Sequence, residues 1–304
     1  MRVYQNEDDY WRIREFLREV FLRNDRRELC WQVARLDYWR WHGIENLGDG
    51  RLEGDVFIWE TADGRIAAVL NRESAGEVYL QVHPGLRTTE LEEEMLAVAE
   101  SHLAVPHPNG RRRLRIWTHE HDNLRQGILT RRGYAESDGP EYQRRRSLDV
   151  PIPEAQPAPG YTVRALGEVK ELSARSWASW KGFHPGEPDE QYRGWEWYHN
   201  IQRMPLYRRD LDIVAVAPTG EIASFCTLWY DDVTRTGYFE PVATVREHQR
   251  RGLGKAVMCT ALRRIKRMGG TLATVGGYST AANALYASVM SDEFELSEPW
   301  AKEL

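Results

Sequence analysis

The chain has 304 residues and an apolar fraction of 41%, enough for packed cores and longer than one typical domain. A net charge of −5 argues against a general nucleic-acid binder, whose footprint is basic, and three scattered cysteines (Cys30, Cys226, Cys259) form neither a disulfide framework nor a metal-ligand cluster. No apolar run nears the ~18 residues of a membrane helix, and the charged start MRVYQNEDDYWRIREF is no signal peptide, so the expectation is a cytoplasmic chain with no metal, nucleic-acid or membrane partner.

Along the first half, DYWRWH carries Trp39 and Trp41. FIWETADGRIAAVL then reads as strand, tight turn at Gly64, strand. EVYLQV (Glu77–Val82) is a further strand. Leu91, Met95, Val98 and Leu103 recur on one face of a helix. Four of the fourteen prolines crowd into PIPEAQPAP, Pro151 to Pro159, which cannot sustain a helix and suits an extended linker. Past it the pattern repeats. Trp195 and Trp197 in GWEWYH answer Trp39 and Trp41, and Gly220 in IVAVAPTGEIASFC answers Gly64. FEPVATV (Phe239–Val245) answers EVYLQV, with a longer hairpin, WYDDVTRTG, before it. Leu253, Val257, Ala261, Ile265 and Met268 mark a helix that Gly269 stops. Each half is therefore expected to fold as an α/β domain: 1–148, a linker at 149–160, and 161–304.

Between the strand FEPVATV and that helix stands EHQRRGLGKAV. Unpaired N–H groups at a helix start, with the helix dipole behind them, make an anion site, and glycines permit a close backbone approach. A basic surface loop that merely opens a helix fits the spacing equally well.

FEPVATVREHQRRGLGKAV, ANALYASV (Ala282 to Val289) and the hairpin IVAVAPTGEIASFC together resemble the GNAT superfamily of N-acetyltransferases. The resemblance covers residues 160–290 and, more faintly, 1–148, in a tandem layout also seen in mycothiol synthase. It implies two tandem GNAT-like domains, each a mixed, mostly antiparallel twisted sheet flanked by helices. It implies acetyl-CoA as cosubstrate, a small amine as acceptor and direct transfer between them. The N–H groups of Arg250, Arg251, Gly252, Leu253, Gly254 and Lys255 would hold the pyrophosphate, and Val242, Ala243 and Thr244 the pantetheine arm. Tyr286 would be the acid for the leaving thiolate and Glu240 the base. Each has a plainer alternative: Tyr286 as a half-buried packing residue, Glu240 as a strand-end ion-pair partner. Glu240 should share a face with Val242 and Thr244 by strand alternation. Asn283 is open between cofactor contact and helix capping, and Arg263, Arg264, Lys266 and Arg267 between a 3′-phosphate site and a solvated face.

HPGLRTTELEEEM (His83 to Met95) is the matching stretch in the first half. Glu90 and Glu92 fall where Gly252 and Gly254 stand, Val78 replaces Glu240, and Leu129 in NLRQGILTRRGY replaces Tyr286. Two carboxylates facing a pyrophosphate would repel it, so the first half is expected to have lost the cosubstrate. The aromatic and acidic stretch SWASWKGFHPGEPDEQYRGWEWYHNIQRMPLY is expected either to favour a cationic acceptor or to form core. A non-catalytic acyl-CoA-binding protein is the alternative function. The tandem halves suit a monomer built as an intramolecular pseudo-dimer, or a homodimer.

Overall fold

A computed structural model describes residues 1–304 and resolves them into two compact α/β units. One holds Met1–Gln143 together with Glu295–Leu304, and the other holds Arg144–Phe294. These bounds differ from those read at the proline-rich segment, because backbone pairing rather than composition decides membership. The carboxy-terminal strand, Glu295–Glu303, runs antiparallel to a first-unit strand from Ser297↔His119 to Glu303↔Arg113. Leu148, ahead of the prolines, donates its N–H to Thr271 O in the second unit.

The first unit begins with β1 (Arg2–Val3), α1 (Glu7–Arg23) and α2 (Val33–Tyr38), which runs on into a π-helical turn at Trp39–Ile44. Asn6 caps α1 by accepting from the N–H groups of Asp8 and Asp9, and the acidic first turn suits the helix dipole. An irregular turn, α3 (Leu52–Asp55), leads to β2 (Val56–Glu60), β3 (Ile66–Ser74) and β4 (Glu77–Val82). Then come α4 (Thr89–His102), β5 (Val105–Pro106), β6 (Arg112–His119), α5 (Asn123–Arg131), β7 (Ala135–Glu136) and β8 (Glu141–Ser147), whose first three residues belong here. The sheet order is β1-β2-β3-β4-β6-carboxy-terminal strand. Only β4 and β6 are parallel. Strand alternation divides the apolar residues between two cores. Phe57, Trp59, Leu70, Val78 and Leu80 pack beneath α4 and α5, while Val56, Ile58, Val69 and Tyr79 pack beneath α1 and α2.

Glu92 corrects one expectation. Its carboxylate does not face outward from α4 but is fully buried. It accepts from Arg125 Nε at 3.0 Å and from Arg87, and Arg87 also reaches Asp122, the cap of α5, at 2.6 Å. Burial opposes the charge on Glu92, yet Arg125 and Arg87 outweigh it and hold the carboxyl below its usual range, and Asp122 is held down the same way. Depressed folded values give stability that is complete above the unfolded values of roughly 4 and is lost as pH falls through the folded ones. An acid titration of unfolding, followed by circular dichroism, should show this loss below about pH 4. Glu92→Gln should flatten the slope, and an unchanged slope would remove the cluster from the account.

The second unit contains the end of β8, β9 (Thr162–Ala165), α6 (Leu172–Phe183), α7 (Tyr198–Gln202) and β10 (Asp212–Val216). It continues with β11 (Ile222–Asp231), β12 (Thr236–Thr244), α8 (Leu253–Arg267), β13 (Leu272–Gly277) and α9 (Thr280–Val289). The order β9-β10-β11-β12-β13 is antiparallel except for the parallel pair β12–β13. Helix α8 buries Leu253, Val257, Ala261, Leu262 and Ile265 against this sheet. Each large apolar side chain so placed contributes roughly 1.5–3 kcal/mol, which fixes the helix whose first turn matters below. No helix in the chain is long and apolar enough to cross a membrane.

Candidate active site

β12 and β13 pair over only three positions, Thr236↔Leu272, Gly237↔Ala273 and Tyr238↔Thr274. Beyond them β12 continues from Phe239 to Thr244 and β13 from Val275 to Gly277 with no further pairing to each other, so the strands diverge and the edge of β12 that faces β13 lies open. The first unit diverges likewise after Glu77↔Arg115, Val78↔Ile116 and Tyr79↔Trp117. Val245 donates its N–H to Ala223 O at 2.9 Å. Strand alternation then turns the polar backbone of Ala243 toward β11 and that of Val242 and Thr244 toward the opening. Ser224 Oγ donates to Ala243 O at 2.9 Å, so Ala243 is engaged on the β11 side and is the exception among the three.

The β11–β12 register shifts between Cys226 and Leu228, where Glu240 and a cis Pro241 together oppose Thr227. This bulge corrects the facing of Glu240. Phe239 and Val242, three residues apart, both pack on the α8–α9 core, so simple alternation fails between Glu240 and Val242. Glu240 lies across from Thr227, while Ala243 meets Gly182 of α6. Trp229 Nε1 donates to the carbonyl of Glu240 and fastens the bulge.

Next to the open edge, the loop before α8 turns through two left-handed residues, Arg250 (φ 63°) and Gly252 (φ 72°). The helix has no side-chain cap, and its first backbone bond is Ala256 N–H to Gly252 O at 3.0 Å. The six consecutive N–H groups from Arg250 to Lys255 have no protein acceptor. With a 15-residue helix behind them and Arg250 and Arg251 exposed beside them, they form a positive concavity suited to a phosphate-type anion. Gly254 serves a second purpose, since a Cβ there would come within 3.0 Å of Leu285 and 3.6 Å of Thr244 Oγ1. In the first unit Thr88 caps the matching helix through Leu91 N–H, and the neighbouring space holds the Arg87–Glu92–Arg125–Asp122 cluster.

Tyr286 of α9 is buried to 7% exposure, its ring laid on Gly277 at the end of β13, where an added Cβ would come within 2.9 Å of the ring. Asn283 is held internally. Its amide donates to Gly277 O and Ser279 O, and its oxygen accepts from Arg144 at 3.2 Å, which fixes the β13–α9 turn that presents Tyr286. Arg144 and Ser224 carried no signal in the sequence, because both act through bonds to residues far along the chain. Arg263 and Arg264 bond the carbonyls of Pro153 and Asp210 at 2.9 and 2.6 Å, so part of that basic face is structural.

The aromatic stretch divides. Tyr198 and Tyr207 turn inward onto Asp212, which also holds the fully buried Arg175 at 3.0 Å, and burial pushes both phenols well up. Trp177, Trp180, Tyr192 and exposed Phe183 stay toward the surface, with Trp180 stacked on His184 at 3.8 Å. The expectation of a core role therefore holds for Tyr198 and Tyr207, while Trp177, Trp180, Tyr192 and Phe183 lie outside that core.

No curated protein matches the chain in sequence. In fold it is similar to a GCN5-related N-acetyltransferase from Sphaerobacter thermophilus (TM-score 0.66, 18% identity, 99% of this chain and 94% of that one). It is also similar to a tandem GNAT protein from the clavulanic acid biosynthesis pathway (TM-score 0.64, 15% identity, 98% and 96%). An acetyltransferase of the GNAT family from Colwellia psychrerythraea matches at TM-score 0.60 and 10% identity over 100% and 98%. Residues 169–290, which contain the open edge, the uncapped helix and Tyr286, match the Acetyltransferase (GNAT) family. The second unit thus matches the acetyltransferase (GNAT) family over residues 169–290, and the whole chain shares its fold with solved GNAT proteins, one of them a tandem GNAT protein.

Proposed function

We propose that the protein is an acetyl-CoA-dependent N-acetyltransferase acting on a small amine, with its active site in the second unit. The observation that carries this is the row of six unpartnered N–H groups from Arg250 to Lys255 beside the open edge of β12. The fit to the cosubstrate is chemical. A diphosphate takes the N–H row, and an extended amide-bearing arm takes the outward backbone of Val242 and Thr244, as an added strand would. Acetyl-CoA supplies an acetyl thioester there.

The amine nitrogen bonds to the carbonyl carbon, the C–S bond breaks, and the sulfur leaves with its electron pair and takes up, through water, the proton that the acylated nitrogen sheds. Glu240, on the opposite side of the bulge from Val242, takes the proton that the ammonium must shed, directly or through water. The Tyr286 hydroxyl serves the departing sulfur. Full proton transfer from a phenol to a thiolate is uphill by about 2 kcal/mol at ordinary values, so Tyr286 acts chiefly as a hydrogen-bond donor. Trp177, Trp180 and Tyr192, which gather their rings together, offer aromatic faces suited to a cationic amine.

Thiol release from acetyl-CoA against a panel of amines tests this reading. Tyr286→Phe should lower kcat by about 10–100-fold while CoA still binds, and Glu240→Gln should lower it most near neutral pH. Cosubstrate binding without turnover for any amine would instead favour a non-catalytic acyl-CoA-binding protein.

A further inference from the structure

The proline-rich segment is not a free connector. Within the second unit it runs along α8 and ends against the loop that forms the cradle. Arg263 Nη2 donates to Pro153 O at 2.9 Å, and Ile152, Ala155 and Tyr161 pack on the core under the helix. Farther on, the Ala158 N–H donates to Arg251 O at 3.1 Å. Gln156 O lies where a Cβ on Gly252 would meet it at 3.3 Å. The Tyr161 hydroxyl lies within hydrogen-bond distance of His248 Nδ1, at 2.8 Å, and His248 Nε2 lies 3.1 Å from Glu221 Oε1, so the turn at 246–248 is clamped from both sides. The Arg251 guanidinium lies over the Tyr161 ring at 5.8 Å.

We propose that Gln156–Tyr161 is a wall of the cradle, a positioning element that holds residues 248–252 in the left-handed turn from which the six N–H groups face outward. Three observations agree. Arg250, a residue with a Cβ, sits at φ 63°, a conformation that persists only where the surroundings over-determine it. The segment supplies those surroundings on the side of the loop away from the open N–H row, because it engages the Arg251 carbonyl and the Gly252 Cα. No capping side chain within α8 does the work instead. The segment therefore favours binding of the diphosphate part of the cosubstrate without touching the thioester.

The inference rests on the cradle reading above, and the test separates the two. Ala158→Pro removes the N–H that holds Arg251 O, and Tyr161→Phe removes the hydroxyl on His248. Turnover and binding are measured with acetyl-CoA and with S-acetylpantetheine, which lacks the diphosphate. The expected result is a rise of about tenfold in KM for acetyl-CoA in Ala158→Pro, and a smaller rise in Tyr161→Phe. For both variants kcat stays near wild type, and use of S-acetylpantetheine is unchanged. An equal loss toward both thioesters would mean general destabilisation and would overturn the proposal, as would variants indistinguishable from wild type. Wild-type protein that does not prefer acetyl-CoA over S-acetylpantetheine would sink the cradle reading itself.

Discussion

Asp212→Ala should be the most destabilising single change in the second unit, costing about 3–5 kcal/mol. Asp212 is fully buried and takes three donors at once: the Arg175 guanidinium at 3.0 Å and the hydroxyls of Tyr198 and Tyr207. Arg175 is also fully buried, lies over Phe225 at 3.6 Å, and otherwise reaches only Thr227 Oγ1 at 3.2 Å. Removing the carboxylate leaves a cation in an apolar interior and takes the shared acceptor from two buried phenols. For a unit of this size the loss corresponds to a fall of roughly 10 °C in Tm. The double substitution Arg175→Met with Asp212→Leu should recover most of it, because removing both charges also removes the desolvation cost. Thermal unfolding of the two variants checks the pair. A fall of only a degree or two for Asp212→Ala would show that the network is not a keystone of this core.

Gly254→Glu should lower CoA affinity at least about 100-fold, or roughly 2.7 kcal/mol. The substitution transplants what stands at the matching place in the first unit, but without its neutralising partners. There, Glu92 is buried between Arg87 and Arg125. Here, a side chain at position 254 starts against Leu285 and Thr244, with no buried arginine pair like Arg87 and Arg125 beside it. Turned inward it is an unpaired buried charge; turned outward it opposes the diphosphate. Gly254→Ala, which only crowds Leu285, should cost far less. Calorimetric titration with CoA, on protein whose circular dichroism is unchanged, measures both, and equal affinities for the two variants would mean that charge at this position is irrelevant to binding.

Much of the fold was legible because both halves obey the same periodicities. Gly64 and Gly220 occupy left-handed turns at φ 82° and 96° between matching strands, and the stripe Leu253, Val257, Ala261, Ile265 is the buried face of α8. The uncapped glycine loop was legible for the same local reason: its chemistry lies in consecutive residues. What escaped is decided by pairing across long separations. Nothing in SDEFELSEPW announces that Glu295–Glu303 will run beside Arg113–His119. Pro241 has no N–H to give a ladder, but that Glu240 and Pro241 share one opposite residue depends on the register of β11 and reverses the facing that alternation assigns to Glu240. Glu92 shows the same limit for charge. From sequence it is a carboxylate where a glycine belongs, and only the arginines brought in from position 87 and from α5 make it an interior residue. Proline content likewise reads as an extended segment, which it is, without revealing that it is bonded to Arg251 and Arg263.

The central claim is that the chain holds its cosubstrate once, on the open edge and uncapped helix of the second unit. Calorimetric titration of the full chain with CoA tests it most directly. The account predicts a single site per chain, abolished by Gly254→Glu and untouched by Glu92→Gln. Two sites per chain, or one site that survives Gly254→Glu and disappears with Glu92→Gln, would contradict it.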